Sequence, residues 1–282
     1  MIIVTGATGQ LGRLVIASLL KTTPPAQIVA AVRDVAKAAD LAAQGVQVRH
    51  ADYNDPASLD SAFAGATKVL LISSSEVGRR VPQHRAVVDA AARAKVGLFA
   101  YTSVLRADSS QLGLAGEHRE TEALIRASGL AYSLLRNGWY VENYTAGLGG
   151  ALAHGALAGA AGEGRIAAAA RADYADAAAA VLSGAGPVEQ VYELAGDTAF
   201  TLAELAAELS RQSGKQVPFH NLPQHEYREM LIGVGLPAPV ADLIADSDAA
   251  AAKGALDDSG RALSKLIGRP TITLADAVKA AL

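Results

Sequence analysis

No cysteine occurs in the 282 residues. Disulfides, thiolate nucleophiles and cysteine-ligated metals are excluded with it. Aromatic residues are scarce, at 5% with a single Trp. The 51% hydrophobic content is therefore aliphatic and alanine-rich, and predicts a helix-rich core. An excess of one charge is also lacking: 25 Lys and Arg stand against 28 Asp and Glu, a net charge of -3. Without a basic stripe, neither a nucleic-acid nor an anionic-membrane partner is expected. No uncharged apolar run reaches about 18 residues, so no membrane span is expected. The six His residues are scattered, with none at a ligand spacing such as H-x-x-x-H, and no metal site is expected. Neither G-x-S-x-G nor a Ser/His/Asp arrangement in hydrolase context is found. The chain opens directly on the apolar run Met1-Ile2-Ile3-Val4. No basic segment or small-residue cleavage site precedes it, so no signal peptide is expected and a cytoplasmic location is the default.

What is present is alternation. Short β-rich runs are expected as strands at Ile2–Val4, Ile28–Val32, Val46–Arg49, Val69–Ile72, Leu98–Thr102 and Tyr132–Leu135. Helical patterns fill the gaps at Leu11–Leu20, Ala36–Gln44, Pro56–Phe63, Pro82–Ala94 and Glu117–Ser128. Near-continuous apolar strands alternating with helices predict a doubly wound parallel α/β sheet, its strands buried on both faces. Pro56 and Pro82 fall where a helix's first turn is expected, since a proline there loses no hydrogen bond. After Arg136 the pattern changes to a Gly/Ala-rich stretch with Trp139, Tyr140 and Tyr144. A helix over Ala172–Leu182 and a strand over Val191–Leu194 follow. Thr201 with Glu204 three residues on reads as a capping box. Residues 217–268 read as short irregular helices, and Thr273–Leu282 as a final one. The expected organisation is a sheet domain over 1–136, with the segment around 172–194 returning to it. A smaller, mainly helical lobe takes most of 137–282.

Gly6-Ala7-Thr8-Gly9-Gln10-Leu11-Gly12 leaves the first strand and opens a helix, the context a dinucleotide fingerprint requires. Gly6 permits the turn out of the strand. Gly9 lets backbone approach a pyrophosphate, and Gly12 lets the helix pack closely. The helix N-terminus offers free N–H groups to phosphate. These features predict a Rossmann fold. An acid at the second strand's end would select NAD through the ribose 2′-OH. Here the strand ends in Arg33, suited to a bidentate pair with a 2′-phosphate, and NADPH is favoured over NADH. The alternative for Arg33 is a solvated surface arginine, and Asp34 beside it suits a helix cap. Asp52, after the third strand, is placed for the adenine amine, or else is a turn aspartate. Ser73, Ser74 and Ser75 follow the fourth strand, where ligands lie in such sheets, or else form a plain polar loop.

The catalytic tyrosine with lysine four residues on, typical of short-chain dehydrogenases, is missing: Tyr101 is followed at that spacing by Leu105. His118, opening the next helix, is the residue placed for proton transfer near neutral pH, against the alternative of a partly exposed first-turn histidine.

The loop, Leu71-Ile72-Ser73-Ser74-Ser75-Glu76-Val77-Gly78, Ala100-Tyr101-Thr102-Ser103, Leu135-Arg136-Asn137-Gly138-Trp139-Tyr140 and Arg171-Ala172-Asp173-Tyr174 together resemble the NmrA-like atypical short-chain dehydrogenase/reductase family. Within it they are most like the bacterial quinone oxidoreductases of type 2, with triphenylmethane reductases next. The resemblance covers essentially the whole chain. It implies a flavin-free, metal-free enzyme passing hydride from NADPH to a quinone that lies against the nicotinamide between the two lobes. It implies cofactor contacts at Gly6 to Leu11 (through Ala7, Thr8, Gly9 and Gln10), Arg33, Ser73 to Ser75, Asn137, Gly138, Trp139, Tyr140 and Arg171. His118, Asn137 and Tyr140 are the catalytic candidates. A quinone is a strong hydride acceptor that needs less proton assistance than a ketone, so the missing Tyr/Lys pair agrees with quinone or cationic-dye reduction. Trp139, Tyr140 and Tyr144 offer either a flat wall for a quinone ring or ordinary packing. A dinucleotide-sensing regulator without turnover is the rival implication, and self-association into a homo-oligomer stays open.

Overall fold

In the computed structural model, residues 1–184 and 189–282 are described. In chain order the elements are β1 (Ile2–Thr5), α1 (Gln10–Leu19), β2 (Ile28–Val32), α2 (Ala39–Ala43), β3 (Gln47–His50), α3 (Pro56–Ala62), β4 (Lys68–Leu71), α4 (Arg80–Arg93), β5 (Leu98–Val104), α5 (Ala115–Ala127) and β6 (Tyr132–Asn137). There follow α6 (Glu142–Thr145), α7 (Leu148–His154), β7 (Leu157–Gly159), α8 (Arg171–Ser183), β8 (Val191–Leu194), α9 (Leu202–Ser213), β9 (Phe219–Asn221), α10 (Gln224–Gly233), α11 (Ala238–Ala251), α12 (Ala262–Ile267) and α13 (Leu274–Ala281).

The chain forms two compact units. The first holds Met1–Asp108, Gly116–Asn137 and Arg171–Leu194. Within it, a seven-stranded sheet runs β3-β2-β1-β4-β5-β6-β8, every neighbouring pair parallel. The chain steps outward from β1 to β2 and β3, then returns to β4 on the other side of β1. That reversal opens a crevice outside the carboxyl ends of β1 and β4, where ligands sit in doubly wound sheets. Every residue of β1, β2 and β5 is buried, as apolar strands covered by helices on both faces require. β3 departs from the expectation: Gln47 and His50 are exposed, because it is the edge strand. Ile3, Val29, Val69, Leu71, Phe99 and Tyr101 pack with Phe63 and Val87 in one core cluster.

Local sequence explains most helix ends. Pro56 is the first residue of α3, with Asp55 as its side-chain cap. α4 begins two residues before Pro82, which still stands in the first turn, where its missing N–H has no helical acceptor. The single helix expected over 36–44 is instead a 3-10 turn, Val35–Ala38, followed by α2. Asp34 accepts from Ala36 N and caps that turn, the capping role expected of it.

The second unit holds Ser109–Ala115, Gly138–Ala170 and Ala195–Leu282. Thr201 and Glu204 form the full capping box of α9. The region 217–268 is more regular than expected, with a 14-residue α11. A small parallel sheet pairs β7 with β9. Each of these strands has three residues, too few to carry a period.

Candidate functional site

The turn between β1 and α1 is set by its glycines. Gly6 adopts φ +59, left-handed backbone that a β-carbon disfavours, and its carbonyl accepts from Gly9 N at 2.9 Å. A Cβ on Gly12 would stand 2.4 Å from Gly6 O and 2.7 Å from Ala7 Cα. Only glycine lets α1 start this close to the turn. The floor beside it is stitched by Thr5, whose hydroxyl donates to Leu70 O at 3.0 Å and accepts from Ile72 N at 3.1 Å. The Tyr53 hydroxyl lies 2.6 Å from Thr5 Oγ1.

A cleft of about 590 Å³ opens above this turn, within the first unit. It brings together Gly6, Thr8, Gly9, Arg33, Asp52 and Ser73 to Ser75, all expected from sequence. Ala7 is fully buried under the turn. Gln10 and Leu11 open α1 but are not among the lining residues. Sequence reasoning missed Arg13, Lys37, Tyr53, Glu76 and Gln83, which also line it. Arg13 had a signal: it is four residues past Gly9, one helical turn, and its N–H donates to Gly9 O. Glu76 stood inside the Ser-Ser-Ser-Glu segment. Nothing in the sequence marked Gln83.

The segment after β4 is strapped down from strand β5 and from two helices, α4 and α5. Ser73 N donates to Thr102 Oγ1 at 2.9 Å, and Ser74 N donates to His84 Nε2 at 3.0 Å. With Nε2 accepting, His84 carries its proton on Nδ1 and donates it to Thr121 Oγ1, 2.9 Å away. The Thr121 hydroxyl in turn donates to Glu117 O at 2.8 Å. The Glu117 carboxylate accepts from Gly78 N and Arg80 N, each at 3.1 Å. Burial, with help from the Arg80 charge, holds the His84 pKa down at about 3. This tautomer is therefore kept across ordinary pH.

Two side-chain atoms on the cleft wall, Ser73 Oγ and Gln83 Oε1, are buried without a hydrogen-bond partner. Unsatisfied buried polar atoms cost free energy and call for a ligand's groups. Together with a glycine turn at a helix N-terminus and cations at the rim, they fit a dinucleotide. Asp52 Oδ1 accepts from Asn54 N at 2.8 Å, so one carboxylate oxygen serves a turn. Asn137 ends β6, 5% exposed, and its Oδ1 too lacks a partner. Arg171 is the first residue of α8 and is not among the cleft-lining residues.

His118 is buried on α5 rather than partly exposed, with its Nδ1 2.7 Å from the Tyr101 hydroxyl. Burial first, then the charge of Arg80, lowers its pKa to about 3. The ring is neutral near pH 7, so no imidazolium is present there to release a proton. In the second unit, Gly138 is buried and Trp139 and Tyr140 are half-buried, with Tyr140 bridged to Ala169. The Tyr144 ring packs edge-on against Phe200, centroids 6.0 Å apart, and its buried hydroxyl has no hydrogen-bond partner.

The second unit also holds an unusual carboxyl. Asp248 on α11 is 2% exposed, and its Oδ2 accepts from Ala160 N at 2.9 Å. Burial pushes its pKa up to about 6, against a smaller pull from that hydrogen bond. A carboxyl raised above its unfolded value stabilises the fold fully below the unfolded pKa, near 4, and loses that stability as pH rises through about 6. Asp248→Asn keeps an acceptor for Ala160 and removes the charge. It is expected to add about 2–3 kcal/mol at pH 7.5 and little at pH 4. Urea unfolding at the two pH values checks this, and an equal gain at both would reject it.

Sequence comparison agrees with this architecture: the NmrA-like family model matches residues 1–268. The chain belongs to the NmrA-like family. Quinone oxidoreductase 2 of Escherichia coli K12 is 60% identical, over 99% of this chain and 97% of that protein. The crystal structure of the NADPH-dependent quinone oxidoreductase from Escherichia coli, complexed with NADPH, has a TM-score of 0.97 at 60% identity, covering 99% of each chain. Triphenylmethane reductase of Citrobacter sp., complexed with NADP(H), has a TM-score of 0.97 at 42% identity, covering 100% of each chain. This NmrA-like chain thus has the doubly wound sheet expected from its alternating pattern. Among the described residues no helix is long and apolar enough to cross a membrane, and no group of three or more His, Cys, Asp or Glu could hold a metal ion.

Proposed function

We propose that this NmrA-like protein is an NADPH-dependent quinone oxidoreductase that works without flavin or metal. The observation that carries the reading is the glycine turn and cationic cleft over β1, in a chain 60% identical over nearly its whole length to quinone oxidoreductase 2. NADPH, when bound, supplies the hydride, and the protein supplies orientation and shielding.

The backbone N–H groups of Thr8, Gln10 and Leu11, at the α1 N-terminus, hold the pyrophosphate, while that of Gly9 closes the turn onto Gly6 O. Arg33 pairs with the 2′-phosphate. The second oxygen of Asp52 takes the adenine amine. Ser73 Oγ donates to the ribose or pyrophosphate, satisfying its orphaned hydroxyl. An orphaned acceptor needs a donor, which a quinone oxygen is not, so Asn137 Oδ1 takes the carboxamide N–H of the nicotinamide. Gly138 lets backbone follow closely after Asn137, and Arg171 contributes a cationic contact at the start of α8. The second unit is the acceptor-binding lobe, with Trp139 and Tyr140 as flat apolar faces for the quinone ring. Tyr140 adds a phenol for the quinone oxygens. His118 takes part as a neutral ring hydrogen-bonded to Tyr101, a positioning role rather than an acid's.

Arg33→Ala is expected to raise KM for NADPH about 10- to 100-fold, as loss of a charge-assisted pair does, and to leave KM for NADH nearly unchanged. Equal effects on both cofactors would remove Arg33 from the 2′-phosphate. The function itself is tested by NADPH oxidation at 340 nm, without added flavin, against a benzoquinone, a naphthoquinone and a cationic triphenylmethane dye. Quinone turnover is the expected outcome. Turnover of the dye alone would overturn the substrate class. Tight NADPH binding with no turnover on any acceptor would mark a sensor.

A further inference from the structure

Among the described residues, three cations line the cleft: Arg13, Arg33 and Lys37. Two are matched by acids that follow β2 in the chain. Arg13 pairs with Asp40, and Lys37 lies 4.0 Å from Asp34; both acids are on the β2-to-β3 connection. Arg33 is different. Its Nη1 lies 2.9 Å from Oε1 of Glu76, on the segment after β4. In the sheet, β2 and β4 flank β1. The Arg33–Glu76 pair therefore spans the carboxyl end of β1, across the strand from which the glycine turn departs. Glu76 is held on its own side: Gln83 Nε2 donates to its Oε2 at 2.9 Å, Arg79 stands 3.5 Å away, and its backbone N donates to Ser74 Oγ at 3.1 Å. The arginine is the more exposed partner, its side chain 66% exposed against 31% for Glu76.

We propose that Glu76 is a specificity-setting latch: its carboxylate competes with the 2′-phosphate of NADPH for Arg33. The proposal rests on the reading of Arg33 given above. A guanidinium drawn to a fixed carboxylate across the cleft must be released, or shared, when a phosphate dianion arrives, and the two anions then repel one another. NADH brings no 2′-phosphate and gains little from a freed Arg33. The carboxylate thus narrows the gap between the two cofactors from the NADPH side. Exposed ion pairs are weak, so an incoming phosphate can displace Glu76. The same weakness limits the gain from removing the charge to about three- to fivefold in affinity.

The test is a fluorescence titration of the intact protein with NADPH and with NADH, on the wild type, Glu76→Gln, Arg33→Ala and the double variant. Glutamine keeps the shape and an acceptor for Gln83 while removing the charge. Glu76→Gln is expected to bind NADPH about three- to fivefold more tightly, with NADH nearly unchanged. The gain should shrink as salt rises, since the competing charges are exposed. It should be clearly smaller in the Arg33→Ala background, where the competition for the guanidinium is gone and only the direct repulsion between the two anions is left. If Glu76→Gln binds NADPH equally or less tightly while Arg33→Ala still loses NADPH selectively, the latch is wrong. Weaker binding of both cofactors would mean that Glu76 closes over the bound dinucleotide or merely orders its loop. If Arg33→Ala weakens both cofactors alike, the 2′-phosphate reading fails and the latch fails with it.

Discussion

Arg136→Met is expected to cost the fold about 3–5 kcal/mol, the cost of taking the buried partner from a buried charge. The Arg136 side chain on β6 is 4% exposed, and that of Glu122 on α5 is 1% exposed. All the guanidinium N–H groups are used. Nε and Nη2 hold Glu122, at 2.9 and 2.6 Å. Nη1 and Nη2 hold Asp108, at 2.7 and 2.8 Å, and Nη1 also reaches Glu193 at 2.8 Å. Burial works against the charge, but the hydrogen bonds to Glu122, Asp108 and Glu193 outweigh it and raise the arginine pKa above its ordinary value. Ser103 and Glu193 lie directly across from Arg136 in the strand register. Ser103 Oγ donates to Glu122 at 2.6 Å, and Glu193 Oε2 accepts from Arg106 N at 2.7 Å. Arg106 adopts φ +51, a left-handed conformation costing a non-glycine residue about 1–2 kcal/mol. The clamp holds the chain in that conformation as it leaves β5. Urea unfolding of Arg136→Met, Glu122→Gln and the double variant checks the claim. The double variant should recover much of the loss, because it no longer buries a carboxylate whose one remaining cation is the more exposed Arg126, 3.2 Å away. Strictly additive losses would show that the two residues act separately.

Gly12→Ala is expected to weaken NADPH binding by about 100-fold or more, since displacements near 1 Å in a binding site have effects of that order. The added Cβ would stand 2.4 Å from Gly6 O, and that oxygen closes the phosphate turn through Gly9 N. Either α1 moves away or the turn opens, and both spoil the row of N–H groups. Gly116→Ala is the control: it lies on α5, and its Cβ would meet nothing within 4 Å. A calorimetric titration reads both. NADPH affinity within about threefold of wild type for Gly12→Ala would mean that the turn tolerates the shift and that the close packing has another purpose.

The glycine turn was legible because its requirements are local. A strand, three glycines and a helix start within a dozen residues specify backbone approach without reference to the rest of the chain. The Thr201–Glu204 capping box and the Asp34 cap were legible for the same reason. The parallel sheet followed from apolar runs alternating with helical periods, and β3 departed from the pattern only because edge position is a property of the sheet. His118 shows where such reading stops. Its place at a helix start suggested exposure, but the helix turns that face onto Tyr101, and burial lowers the pKa of the ring to about 3.

The sequence by itself determined the fold class, the location of the glycine turn and the cation at the end of β2, because periodicity, glycine spacing and strand-end chemistry all act over short separations. The tertiary structure alone decided which charges meet. Arg33 and Glu76 are 43 residues apart and face each other only because β1 lies between β2 and β4. Arg136 and Glu193 are 57 apart and are joined by strand register. Free energies of pairing depend on distance and burial, and both quantities are fixed by packing rather than by the order of residues along the chain.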